Sequence, residues 1–137
     1  MNDEEQNRKV GFQWLELLGK LDAVAARELY TEDIVLDLPG QPQEEGIAAV
    51  HAFEKSFVEA SESYSPHIDR ALASGDSVVL HYTHGGKFKA NWNDLPVAGK
   101  SWECRGIAWL TFRDGKICHM LDLFDRATMM EQLGLMG

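Results

Sequence analysis

Asp122 is the residue whose surroundings in the sequence point most directly to chemistry. Alternation along Lys116–Phe124 sorts Cys118, Met120, Asp122 and Phe124 onto one side of a strand, so Asp122 is the single charge in an apolar stripe. A carboxyl that loses water this way has its charged form disfavoured. Its pKa rises toward the range where it gives and takes a proton near neutral pH. The competing role is structural: Asp122 satisfies backbone donors or caps the last helix, a task for which Asp125 is better placed.

The strand before it, Ser101–Arg113, sorts as clearly. Cys104, Gly106, Ala108, Leu110 and Phe112 form an inner face; Glu103, Arg105, Ile107, Trp109, Thr111 and Arg113 form an outer one. A turn at Arg113-Asp114-Gly115 with Gly115 in a bulge pairs Phe112 with Lys116 and sets Asp122 opposite Gly106, beside Ala108. A two-residue turn would set it opposite Ile107 instead. The bulged version is preferred because it turns Cys118, Met120 and Phe124 inward together.

Gly106 and Ala108 then leave room for a ligand. Tyr82 and His84 share a strand face with Val78 and Leu80 and can donate hydrogen bonds to that ligand or to Asp122. Trp14, Trp92 and Trp102 offer rings for a wall, core packing being their other role. The expected site is thus Asp122 as the proton-transfer residue, with Tyr82, Trp14, His84, Met120 and Ala108 around the substrate.

The five histidines show no helical i, i+4 pair and no acidic cluster beside them, so no metal site is expected. Phosphate-binding glycine loops, GxSxG elbows and Cys/His nucleophile arrangements are missing from the sequence. Cofactor-independent acid/base chemistry remains. The two cysteines, Cys104 and Cys118, sit in apolar strand contexts and read as reduced core residues.

The elements that must position these groups follow from periodicity. Val10, Trp14, Leu17, Leu18 and Leu21 give a first helix one apolar stripe, and Asp22 caps a second through Leu29. Ile34–Leu38 alternates as a short strand before Pro39-Gly40. Val50, Phe53 and Phe57 mark a third helix from Gly46 to about Ala60, ending in Ser61-Glu62-Ser63. Strands are expected at His67–Ala73, Ser77–Lys87, Ser101–Arg113 and Lys116–Phe124, paired antiparallel through short links. Asp125 caps a closing helix through Leu133, with Gly134 as its stop.

Helices first and strands last argue for an α+β fold: a curved antiparallel sheet with the N-terminal helices packed in its concave face and a short C-terminal helix. Residues 1–137 read as a single domain without linker or repeat. With 45% apolar and 26% charged residues the composition is that of an ordinary globular protein. No run approaches the roughly 20 apolar residues of a membrane span. A net charge of −9 repels phosphate backbones and anionic membranes, so neither nucleic acid nor membrane is expected as a partner. The acidic stretch Met1–Gln6 is unlike a secretory signal and points to the cytoplasm. Ile107, Trp109, Leu121 and Leu123 on the outer face suit burial against a second copy, a homodimer.

The order of elements, with Leu36-Asp37-Leu38-Pro39-Gly40, Asp94-Leu95-Pro96-Val97-Ala98-Gly99-Lys100, Arg105-Gly106-Ile107 and Asp114-Gly115-Lys116-Ile117 leading to Asp122, resembles the SnoaL-like polyketide cyclases. These belong to the nuclear transport factor 2-like superfamily of cone-shaped folds, and the resemblance covers almost the whole chain. It implies that Asp122 is the proton-transfer aspartate of the cyclases. By its Val35-Leu36-Asp37 context it implies Asp37 as a second carboxylate, in the place of the ketosteroid isomerases' general base.

The sequence also departs from its relatives. The isomerases' oxyanion tyrosine falls at Trp14 and their protonated aspartate at Ala108, near which the cyclase histidine also falls. The epoxide hydrolases' Arg-x-Asp pair meets Leu80-His81-Tyr82. Two function classes stay open. One is a cyclase, isomerase or hydrolase acting by proton transfer on a small apolar molecule; the other is a non-catalytic ligand-binding or dimerisation module.

Overall fold

The computed structural model describes residues 3–136, so Met1 and Asn2 of the acidic N-terminal stretch lie outside the described residues. Helix α1 (Asp3–Gly19) carries Asp3, Glu4 and Glu5 in its first turn, where acidic side chains favour the helix dipole. It buries Val10, Trp14 and Leu15. Leu21 takes a left-handed φ of 57°, which reverses the chain. Asp22 then caps α2 (Ala23–Arg27), its carboxylate accepting from the Ala25 amide at 2.9 Å.

The rest of the chain alternates between sheet and helix. Strands β1 (Tyr30–Asp37) and β2 (Glu44–Glu45) precede α3 (Ile47–Ala60). Then come β3 (Ser61–Tyr64), β4 (His67–Ser74), β5 (Ser77–Phe88), β6 (Ser101–Arg113), β7 (Lys116–Phe124) and finally α4 (Arg126–Gln132). The strands form one curled sheet in the order β2-β1-β7-β6-β5-β3, with β4 also paired to β5.

Two features of the sheet differ from expectation. β1 runs parallel to β7, with Leu36 beside Met120 and Asp37 beside Leu121, so the sheet is mixed. The stretch Ser61-Glu62-Ser63, expected to be a fraying helix end, opens β3, which pairs with the far end of β5. β5 serves both β4 and β3 because they pair with successive parts of it, β4 along Ser77–Thr83 and β3 along Gly86–Phe88, and Gly85-Gly86 let the neighbouring backbones come close. A Cβ on Gly86 would stand 2.2 Å from the Ser63 carbonyl oxygen, and one on Gly85 2.6 Å from that of Trp102. Any side chain there would force the neighbouring backbones apart.

The last hairpin also finds its register by an unexpected route. Asp114 and Gly115 both have positive φ, 52° and 79°, and make a two-residue turn that pairs Arg113 with Lys116. That turn alone would direct Asp122 outward. A bulge then intervenes, since Thr111 pairs with His119 while Phe112 pairs with Ile117, leaving Cys118 as the extra residue. The bulge restores the parity, and Asp122 lies opposite Ala108 on the inner face, with Gly106 opposite Phe124. Ile117 takes the buried place expected for Cys118, which is half-buried.

The helices lie in the concave side of the sheet. One buried cluster joins Trp14, Tyr30, Ile34, Leu36, Val50, Leu80, Leu110 and Met120. A second gathers Tyr64, Phe88, Val97, Trp102, Cys104, Met129 and Leu133 under α4. Each large side chain so buried contributes about 1.5–3 kcal/mol. Asp125 caps α4 by accepting from the Thr128 amide at 3.1 Å, which leaves the cap role for Asp122 unused. Among the described residues no helix is long and apolar enough to cross a membrane.

Candidate functional site

The two clusters leave between them a cavity of about 210 Å³. It is small against the roughly 300–1,000 Å³ usual for ligand pockets, so it suits a compact molecule. Its floor is set by β5, β6 and β7. Alternation along β5 turns Val78, Leu80, Tyr82 and His84 inward. Tyr82 pairs with Gly106, and because Gly106 has no side chain the tyrosine ring lies across β6 to reach β7.

There the Tyr82 hydroxyl donates to Asp122 Oδ1. Among the described residues this is the one hydrogen bond of the Asp122 carboxylate, and no ion pair includes it. Burial pushes Asp122 up from its ordinary 3.8 to about 6, although the Tyr82 bond opposes the shift. Tyr82 is itself raised, by burial first and then by the neighbouring Asp122 charge.

The space beside Gly106, read in the sequence as room for a ligand, is therefore occupied by Tyr82. A Cβ there would stand 2.7 Å from the Tyr82 Cζ and hydroxyl and 2.8 Å from the Phe124 Cβ. Gly106→Ala is expected to cost about 1–3 kcal/mol in urea unfolding, the usual price of overpacking. It should also move the Asp122 titration above about 6, because the displaced phenol no longer favours the carboxylate. Carboxyl carbon NMR reads that shift directly.

A second acid enters from α3. Glu54 sits in the stripe Val50, Phe53, Glu54, Phe57, is buried, and lines the same cavity. The Tyr30 hydroxyl donates to its Oε1 at 2.5 Å, and the Trp14 indole N–H donates to that hydroxyl at 2.9 Å. Burial raises Glu54 from 4.5 to about 7; hydrogen bonds from Tyr30 and Trp14 pull it down and the Asp122 charge adds to the rise. The sequence reading passed over Glu54. The signal was present, since its helical phase is that of the apolar stripe.

His84 is buried among rings, 4.6 Å from the Tyr82 centroid and 4.8 Å from that of Trp102. Its Nδ1 shares a hydrogen bond with the Tyr64 hydroxyl at 2.7 Å, and its Nε2 lies 3.3 Å from the Cys104 thiol. Both nitrogens are thus engaged away from Asp122. Burial pushes its pKa down to about 4, so the ring is neutral at pH 7. The same burial lifts the Cys104 thiol to about 11, which keeps it protonated.

Phe53, Phe57, Trp92, Trp102 and Phe124 complete an aromatic lining. Phe57 stands at its centre, edge-on to Tyr64 and to Trp92, each 5.3 Å away. Trp92 comes from the loop between β5 and β6 and is tied to α3 by its indole N–H, which donates to Ser56 Oγ at 3.0 Å. Of the residues expected around the site, the fold brings Asp122, Tyr82, Trp14 and His84 to the cavity wall.

Three others are placed elsewhere. Asp37 follows Leu36 and precedes Leu38, both of which line the cavity; strand alternation therefore turns Asp37 to the opposite face. Met120 and Ala108 do point inward, but they are buried in the same cluster as Trp14 and Leu36 and do not line the cavity. Among the described residues no group of His, Cys, Asp or Glu is arranged to hold a metal ion.

Comparison with known proteins adds the following. The family model of the SnoaL-like polyketide cyclases matches residues 11–133. A search of curated proteins finds no match. Among solved structures, a SnoaL-like polyketide cyclase candidate from Jannaschia sp. CCS1 superposes with a TM-score of 0.87 at 18% identity, covering 97% of this chain and 94% of that one. An LEH-like epoxide hydrolase from M. tuberculosis gives 0.79 at 16% identity, covering 96% and 92%. An isomerase candidate from Bacillus subtilis gives 0.78 at 21%, covering 98% and 97%. At such identities the likeness is one of fold.

Proposed function

We propose that this chain, which belongs to the SnoaL-like polyketide cyclase family, binds a small apolar organic molecule in its hollow and moves a proton on it with Asp122. One observation carries the reading: a carboxylate in an aromatic cavity, with a phenol as its hydrogen-bond partner and, among the described residues, no ion pair to hold it charged. Burial sets its pKa at about 6, where a group is a competent base and a recoverable acid at pH 7. Cyclisation, isomerisation and hydrolysis all need such a group, and cyclase, hydrolase and isomerase are the activities named for the relatives.

The test uses a probe that asks only for a base in an apolar cavity, the ring opening of nitrobenzisoxazole. A carboxylate removes the ring C–H proton, the C–H pair completes the nitrile, the N–O bond breaks and a coloured nitrophenolate leaves. Wild-type protein should catalyse this and Asp122→Asn should not. Binding of the probe without conversion would favour a non-catalytic ligand-binding module.

We propose further that the outer face of β6 and β7 meets a second copy of the chain, in a protein of one domain that works in the cytoplasm apart from nucleic acids and membranes. Ile107, Trp109 and Leu123 are 42, 48 and 49% exposed there, with half-buried Leu121 beside them. So many large apolar groups on one sheet face favour a covered surface. Trp109→Lys is expected to turn a dimer into a monomer in sedimentation velocity; a wild-type monomer would end this reading.

A further inference from the structure

Glu54 has the setting of a group kept for its proton. A glutamine there would accept the same Tyr30 hydrogen bond, 2.5 Å in this structure, without burying an acid. The Tyr30 hydroxyl, itself held by the Trp14 indole N–H, fixes the Glu54 carboxyl in place, and no ion pair among the described residues includes it. It shares one cavity with Asp122, the first acid on the helical wall and the second on the sheet wall.

We infer that Glu54 is the acid of a two-carboxyl pair whose base is Asp122, and that the pair selects molecules bearing a C–H next to a carbonyl. This rests on the reading of Asp122 as a proton-transfer group. Asp122 takes the proton from carbon, the C–H pair becomes a C=C bond, and the carbonyl π pair moves to oxygen, which receives the Glu54 proton. An enol results, with Asp122 protonated and Glu54 ionised. Where the molecule carries a second C=C conjugated with the enol, return of the Asp122 proton to the far carbon of that dienol shifts the double bonds and re-forms the carbonyl. The enol proton returns to Glu54, and an isomerisation is complete without a co-reactant.

The other titratable groups about the cavity do not compete for these roles. His84 on β5 is neutral above about pH 4. Tyr82 on β5, Tyr64 on β3 and Tyr30 on β1 are all held protonated by burial. Arg126 at the start of α4 reaches toward the Pro39 carbonyl oxygen, 3.5 Å away. Two like acids in one hollow titrate apart, because ionising one disfavours ionising the other. The working form has Asp122 ionised and Glu54 protonated, with pKa values of about 6 and about 7.

Two probes separate this inference from the reading beneath it. Opening of nitrobenzisoxazole releases a stable nitrophenolate and needs only the base. Deuterium exchange at the activated carbon of β-tetralone, followed by proton NMR, needs a proton on the carbonyl oxygen as well. Glu54→Gln should slow the exchange on the order of 10²-fold and the ring opening by much less, so that the ratio of the two rates falls; urea unfolding at pH 5 checks separately that the variant is folded.

In wild type the exchange rate should fall as pH rises past about 7, and Glu54→Gln should lose that fall. Ring opening in wild type with no tetralone exchange, exchange untouched by Glu54→Gln, or a wild-type profile without an alkaline limb would each overturn the role of Glu54 alone. If wild type catalyses neither reaction, the reading of Asp122 fails and this inference with it.

Discussion

Asp122→Asn is expected to slow the opening of nitrobenzisoxazole on the order of 10²–10⁴-fold, the usual weight of a positioned general base. The substitution preserves shape. Its amide oxygen can still accept from the Tyr82 hydroxyl, so the aromatic lining and the β5–β6–β7 ladder have no reason to move. What disappears is the negative charge. In wild type the rate should rise with pH through about 6 and level off once the carboxylate is fully formed. Asp122→Asn should show only the flat background of the buffer. A rate unchanged by the substitution would mean that the probe reacts elsewhere.

The second large effect is on stability. Asp122 and Glu54 have ordinary values of 3.8 and 4.5 and stand at about 6 and about 7 in the folded chain. Because both are raised, the folded state keeps their protons longer than the unfolded chain does. Their stabilising contribution is complete below about pH 4 and is lost as pH rises through 6 and 7. At about 1.4 kcal/mol for each pKa unit, either acid costs the protein about 3 kcal/mol by pH 8.

Urea unfolding of wild type should therefore show stability falling from pH 4 to pH 8. The double variant Asp122→Asn, Glu54→Gln should instead gain stability from pH 4 to about 6.5, because buried His84, held at about 4, resists a proton that the unfolded chain takes up, and it should be the more stable of the two at pH 8. In wild type His84, lowered by burial from 6.5 to about 4, thus acts in the opposite sense to the two acids and offsets part of the fall between about pH 4 and 6.5. So do three surface carboxylates: Asp33, lowered by the Arg113 hydrogen bond; Asp69, lowered by Thr83; and Asp125, lowered by Thr128. Fully exposed and screened by solvent, they act mainly below about pH 4 and do not mask the fall. A wild-type stability that climbs from pH 5 to pH 8 would refute burial as the cause of the two raised values.

Destabilising acids that survive in a core are a mark of function, since stability alone would replace them. This links the two predictions. The same desolvation that weakens the fold near neutral pH holds Asp122 and Glu54 where a proton can be exchanged.

Much of this is legible in the sequence. The inward set on β5 and β6, the caps Asp22 and Asp125, and the isolation of Asp122 follow from alternation and helical spacing, which are local properties of the backbone. Glu54 was legible too, in the phase of Val50, Phe53 and Phe57, but a stripe read for its apolar members hides the acid within it. Asp37 shows the opposite error. A context borrowed by resemblance put it in the site, whereas its own neighbours Leu36 and Leu38 already turned it away.

What only tertiary structure decided lies between residues far apart in the chain. The parallel seam of β1 with β7 joins β1 and β2 to the rest of the sheet, and nothing in either strand announces its partner. The Asp122 register depends on a two-residue turn and a bulge at Cys118 acting together, and only burial of Ile117 and Met120 selects that combination. The Tyr82–Asp122 bond exists because Gly106, on a third strand, leaves a gap for the ring. Periodicity sets which way a side chain faces because it is written in consecutive residues; which groups meet there is set by packing, because a close contact is a property of all the elements at once.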